Sequence, residues 1–142
     1  MYLLDTNICI FAINKRPANV LAIIKEKSRS GIYISSLTIA ELEYGVENSK
    51  QIENNRIALL KFISLFKVLN YDDADAIKYG RLKARLKKAG KIIGPIDMLL
   101  ASQALSKDLI LVTNNVAEFE RIEGLLIEDW SKEKLKRLRT FV

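Results

Sequence analysis

Four side chains with oxygen donors follow short apolar segments of the sequence. Asp5 comes directly after YLL, and Glu41 follows IYI within the longer stretch IYISSLTIAELEYG. Asp97 stands in GPIDMLLA, and Asn115 follows LILV in LILVTNNVAEFERI. Oxygen ligands of this kind suit hard cations such as Mg²⁺ and Mn²⁺. A cation held there would orient an RNA or DNA phosphate, activate water and stabilise the leaving oxygen. The pattern therefore indicates metal-assisted hydrolysis.

Each of these residues also has a purely structural interpretation, which the sequence leaves open. Asp5 fits the N-cap of a helix that begins close behind it. Thr38 and Glu41 fit a capping box at the start of another helix. Asp97 falls in a first helical turn, where the helix dipole favours an acid. Asn115 lies in a run of residues that are common in turns.

Short apolar segments alternate with helical patterns along the chain. One amphipathic pattern runs from Ala74 to Ala89 and stops at Gly90, and Pro95 opens the next helix from its favoured first position. This alternation predicts an α/β fold with a mainly parallel central sheet covered by helices on both faces. The predicted strands are Tyr2–Leu4, Ile32–Ile34, Val68–Leu69, Leu109–Val112 and Leu125–Ile127.

The predicted sheet gives the four oxygen-bearing residues a common location. The carboxyl ends of parallel strands meet at one rim of the sheet, and all four residues follow a strand or begin a helix. Three carboxylates gathered there without a cation would repel one another and raise their own pKa values. A bound Mg²⁺ or Mn²⁺ would remove that repulsion.

The composition excludes several classes of chemistry. The chain has no histidine and one cysteine, so it has no Ser-His-Asp relay, imidazole ligand, internal disulfide or cysteine zinc cluster. Its 142 residues predict a single domain over 1–142. No apolar run approaches the roughly 20 residues that span a bilayer. The first residues also do not resemble a signal peptide, so we expect a cytoplasmic protein without membrane contact.

Positive charge indicates a polyanionic partner. The net charge is +6, which favours nucleic acid. The second half of the predicted helix 74–89 and its exit carry candidate RNA-binding residues, namely Arg81, Arg85, Lys88 and Lys91. The same bases also complement the helix dipole, so a solvated helix end is an alternative. A basic tail begins at about residue 131 and offers an RNA arm, a last helix or a protein contact.

Four stretches, in order, resemble the PIN-domain family, and in particular the VapC-type toxin nucleases of VapBC toxin–antitoxin systems. They are LLDTN, AELEYG, GPIDMLLA and LVTNNVAEFERI, the last followed by IEDW. The resemblance extends from Met1 to about Trp130. It implies a PIN-like α/β/α sandwich and a Mg²⁺-dependent endoribonuclease, with Mn²⁺ as a substitute. Such toxins typically cut structured RNA such as tRNA and thereby inhibit translation.

The resemblance also assigns roles to residues. Asp5 and Asp97 are similar to the principal metal ligands of the family, and Glu41 to the third acid. Asn115 stands where many members carry a fourth acid, so it completes the candidate catalytic set without supplying negative charge. The implied supporting shell around Asp5 consists of Thr6, Asn7 and Thr113.

Partners follow from the resemblance as well. Proteins of this group are commonly homodimers, and a small VapB-like antitoxin silences them with a tail that covers the active site. We therefore expect an RNA substrate, a VapB-like antitoxin and a homodimer.

Two functions of other classes remain as alternatives. The first is a non-catalytic α/β module that binds nucleic acid or a protein, in which the acids serve only as helix caps. The second is a phosphatase or phosphoacceptor with Asp5 as the phosphorylated group. Such phosphatases usually have a second acid two residues later, and Asn7 occupies that position.

Overall fold

A five-stranded sheet forms the centre of the protein. A computed structural model describes residues 1–132. The strand order is β3-β2-β1-β4-β5 and every neighbouring pair is parallel. All five predicted strands are confirmed with small shifts at their ends. Their bounds are β1 Tyr2–Leu4, β2 Ile32–Ser35, β3 Lys67–Leu69, β4 Ile110–Val112 and β5 Ile127–Glu128.

Seven α-helices connect these strands within residues 1–132, together with a short 3-10 turn at Ser28–Ser30. The long helix predicted from Ala74 begins one residue earlier and ends one residue sooner. The helix predicted to open at Pro95 does so. Their bounds are α1 Thr6–Asn14, α2 Ala18–Glu26, α3 Ser36–Glu47, α4 Ile52–Ile63, α5 Asp73–Lys88, α6 Pro95–Ser106 and α7 Val116–Phe119.

The helices cover both faces of the sheet, which confirms the α/β/α sandwich. Side chains alternate along β1, so Leu4 and Leu3 enter different apolar clusters. The cluster around Leu4 contains residues of α1 to α4, and the cluster around Leu3 contains residues of α5 to α7. The two central strands β1 and β4 are buried on both faces and contain apolar residues throughout, whereas the edge strands β3 and β5 include Lys67 and Glu128.

Helices α5 and α6 form an antiparallel hairpin. Asp72 and Asp75 make a capping box at the start of α5, and both carboxylates pair with Lys107, which directly follows α6. The end of α5 and the link 89–94 therefore lie at the same end of the hairpin as the start of α6. This arrangement brings the basic end of α5 toward Asp97, as the sequence predicts.

Little of the predicted basic tail is described, because residues 133–142 lie outside the described part of the chain. The segment just before it is anchored by Trp130, which is fully buried. The Asn19 amide donates to the carbonyls of Trp130 and Ser131 at 3.0 and 3.2 Å. Up to residue 132, no helix is long and apolar enough to cross a membrane.

Candidate active site

Asp5 is held by both of its carboxylate oxygens at the end of β1. Its Oδ1 accepts a hydrogen bond of 2.9 Å from the Ile8 main-chain N–H and so caps α1. Its Oδ2 accepts from the hydroxyl of Thr113, which follows β4. Asp5 is only 6% exposed. The N-cap interpretation is therefore correct, and it leaves the carboxylate pinned at the sheet rim by two neighbouring strands.

The surroundings of Asp5 favour its protonated form. Burial raises the pKa of Asp5 from 3.8 to about 6, although the hydrogen bonds from Thr113 and Ile8 act in the opposite direction. The nearby carboxylates of Asp97 and Glu41 raise the pKa further. The three predicted acids therefore lie close enough to interact, and burial together with their repulsion outweighs the hydrogen bonds that lower the pKa of Asp5.

Asp97 lies in the first turn of α6, two residues after Pro95, and is half-buried. Burial is the largest cause that raises its pKa from 3.8 to about 6. The second cause is Glu118, through hydrogen bonding and repulsion, followed by the charge of Glu41. Hydrogen bonding with Asn115 lowers the pKa in part. Asp97 thus lies near Glu118 of α7, Glu41 of α3 and, at the end of β1, Asp5.

Glu118 is the residue of this site that the sequence prediction missed. It lies in α7, directly beside Asp97, and its Oε2 accepts a hydrogen bond of 3.0 Å from the Asn115 amide. Asn115 is the N-cap of α7, and its main-chain N–H donates to the Thr113 hydroxyl at 3.0 Å. Glu118 follows Asn115 by three residues, a spacing that places both on one side of a helical turn. This spacing in NVAE, residues 115–118, is the sequence signal that could have identified Glu118.

The capping-box interpretation of Thr38 and Glu41 is wrong. Helix α3 begins at Ser36, because Ser35 is the N-cap and its hydroxyl accepts from the Leu37 main-chain N–H at 3.1 Å. Glu41 is therefore in the second turn, too far along the helix to reach the cap. Its exposed carboxylate instead accepts a hydrogen bond from the hydroxyl of Thr6.

Thr6 and Asn7 support neighbours of Asp5 and not Asp5 itself, which corrects the predicted shell. Thr6 donates to Glu41, and the Asn7 amide donates to the Asn114 side chain at 3.3 Å. Because α1 begins at Thr6, successive side chains point about 100° apart around its axis and diverge from the Asp5 carboxylate. Thr113 is the member of the predicted shell that does hold Asp5.

Two carboxylates of the site fit a hard divalent cation. Asp5 and Asp97 offer oxygen donors with raised pKa values, which a bound cation would lower. Over residues 1–132, no three His, Cys, Asp or Glu side chains are grouped so as to hold one ion together. Mg²⁺ commonly binds proteins through one or two carboxylates and several waters, so this pair suits it. A ligand set that also includes Glu41 stays a prediction.

The candidate RNA-binding residues lie on the helical hairpin that carries Asp97. The four are all exposed, in the second half of α5 and in the link to α6, namely Arg81, Arg85, Lys88 and Lys91. The Arg121 guanidinium, just after α7, donates to the Ile92 carbonyl at 3.1 Å and fixes this link. Positive charge therefore lies on the hairpin that carries Asp97.

An apolar groove lies next to Glu41. Helices α1, α3 and α4 enclose about 210 Å³, and Glu41 is one of the lining residues. Gly45 of α3 also lines it, and a Cβ placed there would meet no atom within 4 Å. The apolar side chains that line the groove are Ile10, Ile13, Leu42, Val46, Ala58 and Leu59.

A family model described as PIN domain matches residues 2–125, which include all the site residues above. The chain is 44% identical over 133 residues to the tRNA(fMet)-specific endonuclease VapC of Shigella flexneri, across 92% of this chain and 98% of the relative. It is 41% identical over 133 residues to ribonuclease VapC2 of Rickettsia felis, across 93% of this chain and 99% of the relative.

Two solved complexes contain chains of the same fold. The VapBC2 complex of Rickettsia felis, bound to a promoter DNA fragment, matches with a TM-score of 0.85 and 40% identity, across 89% of this chain and 96% of that one. DNA-bound VapBC of Salmonella typhimurium matches with a TM-score of 0.86 and 43% identity, across 91% of this chain and 97% of that one.

Proposed function

The chain belongs to the PIN-domain family and, within it, to the VapC toxins of VapBC toxin–antitoxin systems, and we propose on that basis that it is a Mg²⁺-dependent endoribonuclease. One observation carries the metal dependence. Asp5 and Asp97 are buried or half-buried carboxylates at one rim, and the pKa of each is raised to about 6. A divalent cation is the ligand that such a pair would bind most favourably.

Each acid has a distinct role in this proposal. Asp5 and Asp97 hold the cation, and Glu41 supplies a third carboxylate. When bound, the cation supplies Lewis-acid chemistry that neutralises charge on the scissile phosphodiester. Thr113 holds the Asp5 carboxylate in place. Glu118 accepts the proton of the attacking water, because the amide of Asn115 is not basic enough to do so.

The proposed substrate is structured RNA, with tRNA as the first class to examine. The relative from Shigella flexneri is named for cleavage of tRNA(fMet), so initiator tRNA is the leading candidate. Cleavage of that tRNA in the cytoplasm would inhibit translation. We propose that one domain over residues 1–142 carries this activity, and that Mn²⁺ supports it in place of Mg²⁺.

The deciding experiment incubates purified, antitoxin-free protein with total RNA and with a panel of individual tRNAs. We expect discrete fragments with Mg²⁺ or Mn²⁺, and intact RNA with EDTA. Sequencing the fragment ends identifies the substrate and the bond that is cut. Intact RNA under every condition, with a folded protein, would contradict the proposal and favour the non-catalytic binding module.

The basic end of α5 is expected to bind the RNA backbone. Replacement of Arg81, Arg85, Lys88 and Lys91 by Gln should weaken RNA binding and reduce the salt dependence of the affinity by about 0.7–0.9 per lost phosphate contact. Binding of a non-cleavable RNA at several salt concentrations measures both. The control replaces four exposed lysines outside α5 by Gln, namely Lys15, Lys25, Lys50 and Lys61. Equal losses in the two variants would contradict a specific role for α5.

A VapB-like antitoxin is the proposed protein partner, in line with the VapBC complexes that match this fold. The groove between α1, α3 and α4 suits an apolar segment of that partner. Glu41 lies in the groove lining, so a bound segment would also reach the catalytic rim. We propose a homodimer as the active form of the toxin.

Gly45→Lys is expected to weaken antitoxin binding at least about tenfold, because the new side chain fills the groove and loses apolar contact. The added Cβ meets open space, so the fold should tolerate it. The control is Gly80→Lys, since Gly80 is also helical, exposed and free of atoms within 4 Å of an added Cβ. Calorimetric titration with the antitoxin measures the difference. Equal affinity of the two variants would exclude the groove as the binding site.

A further inference from the structure

The segment that follows β3 is hydrogen-bonded to α3 and α6, two of the helices that carry acids of the site. The main-chain N–H of Tyr71 donates to the hydroxyl of Ser36 at 3.2 Å. Ser36 is the first residue of α3, the helix of Glu41. The hydroxyl of Tyr71 lies 2.9 Å from the hydroxyl oxygen of Ser102 in α6, the helix of Asp97. One residue thus connects α3 to α6.

A second bond reinforces the connection to α6. The side-chain amide of Gln103 donates to the carbonyl of Leu69, the last residue of β3, at 3.2 Å. Ser102 and Gln103 are both fully buried. Ser102 also donates to the Leu99 carbonyl within α6 at 2.7 Å, so its oxygen is left to accept from the Tyr71 hydroxyl. A buried polar side chain is costly unless it is paired, so the bonds of Gln103 and Ser102 across to β3 and Tyr71 favour one placement of α6. We call the set formed by Ser36, Leu69, Tyr71, Ser102 and Gln103 the Tyr71 clamp.

The clamp adds directional contacts to the apolar packing of α6. Helices α3 and α6 contribute to different apolar clusters, on opposite faces of the sheet. Six of the twelve residues of α6 are buried, from Met98 to Ala104 with Leu99 excepted. Packing holds α6 against its own cluster, and the hydrogen bonds of the clamp, which require a defined distance and angle, relate it to β3 and α3.

The clamp lies close enough to Asp97 to control its position. Ser102 is five residues after Asp97 in the same helix, an axial distance of about 7.5 Å. Asp5, in contrast, is fixed by the strands and by Thr113. A shift of α6 relative to β3 would therefore move Asp97 with respect to Asp5.

We propose that Tyr71 is a positioning residue for the metal site. Through the clamp it holds α3 and α6 in the one arrangement in which Glu41 and Asp97 both face Asp5. This inference rests on the proposed function, since it concerns the cation that those acids bind. Tyr71 acts through the helices and contacts neither the cation nor the RNA.

The test compares Tyr71→Phe with Tyr79→Phe, a change that removes a hydroxyl from a partly buried tyrosine of α5 outside the clamp. Mn²⁺ affinity is measured by electron paramagnetic resonance without RNA. We expect about tenfold weaker binding for Tyr71→Phe, the lower end of the usual effect of ligand-supporting residues. Tyr79→Phe should bind Mn²⁺ like the wild type.

A second measurement separates positioning from general destabilisation. Mg²⁺ requires near-ideal octahedral geometry, whereas the larger Mn²⁺ tolerates distortion. The ratio of kcat with Mg²⁺ to kcat with Mn²⁺ should therefore fall for Tyr71→Phe. A loss of folded protein would lower both rates equally and leave the ratio unchanged. Ser36→Ala removes the α3 end of the clamp and provides the same readouts if Tyr71→Phe does not fold.

The outcomes distinguish this inference from the proposed function. Weaker Mn²⁺ binding and a lower rate ratio for the clamp variant, with normal values for Tyr79→Phe, support it. Wild-type affinity and ratio in Tyr71→Phe overturn the positioning role alone. Failure of the wild-type protein to bind Mn²⁺ overturns the proposed metal dependence and this inference with it.

Discussion

Asp5→Asn is expected to make the metal-free protein more stable and to slow RNA cleavage by at least about 10³-fold. The slower cleavage corresponds to a loss of several kcal/mol of transition-state stabilisation by the metal. Asn keeps the helix cap, because its side-chain oxygen can still accept from Ile8. It removes the buried negative charge. Since the pKa of Asp5 is raised from 3.8 to about 6, that charge costs about 2–3 kcal/mol at neutral pH. The variant should unfold on the order of 5 °C higher in EDTA.

The stability gained in Asp5→Asn depends on pH. Between about pH 4 and pH 6 the folded protein holds a proton on Asp5 that the unfolded chain has released. The free energy of unfolding of the wild type therefore falls as the pH rises through this window. Below it, Asp5 is neutral in both states and the advantage of the variant should disappear. Thermal unfolding of both proteins in EDTA across this range measures the difference.

Asp72→Asn is the matched control, because Asp72 also caps a helix. Its hydrogen bond with Lys107 is the largest cause of its lowered pKa, so its charge stabilises the fold. This variant should unfold at a lower temperature at neutral pH and still cleave RNA. Added Mg²⁺ should stabilise wild type and Asp72→Asn but have little effect on Asp5→Asn. If Asp5→Asn unfolds at a lower temperature than the wild type in EDTA, the negative charge of Asp5 does not destabilise the fold.

Glu118→Gln is expected to slow RNA cleavage about 10²-fold, as loss of a general base does. Gln matches Glu in shape but does not accept a proton. The control is Glu120→Gln, which changes an exposed acid just after α7. Single-turnover cleavage with saturating protein and Mg²⁺ measures the chemical step. Equal rates for the two variants would exclude Glu118 from the chemistry.

The same variant also reports on the contact with Asp97. Glu118 raises the pKa of Asp97, second only to burial, so its neutralisation should bring that pKa below about 6. Carboxyl carbon chemical shifts, followed against pH in the metal-free protein, measure this directly. An unchanged pKa of Asp97 would mean that the two carboxyl groups do not interact in solution.

Local sequence patterns predict the helices and strands and their order. The central strands β1 and β4 are short apolar runs, because both faces of the sheet are buried there. The bounds of α5 and α6 follow from local chemistry, since acids, glycine and proline mark helix ends regardless of the remaining fold. The common rim of Asp5, Glu41 and Asp97 follows in turn, because parallel strands end on the same side.

Local signals failed where two of them competed. Ser35 and Thr38 both fit an N-cap, and the end of β2 placed the helix start at the first of them. The family resemblance implies that Thr6 and Asn7 form a supporting shell around Asp5. The turn of α1 instead directs them to Glu41 and Asn114.

Contacts between distant side chains depend on how the helices pack. The spacing of Asn115 and Glu118 places the two on one side of a turn, but the contact of Glu118 with Asp97 arises from the packing of α7 beside the start of α6. Tyr71 bonds to Ser36 and Ser102, which are 35 and 31 residues away. Hydrogen bonds and charges act over a few ångströms in space, so their partners depend on how the helices pack. The sequence predicts the acids of the proposed metal site, and the packing supplies the neighbours that hold Asp5 and contact Asp97.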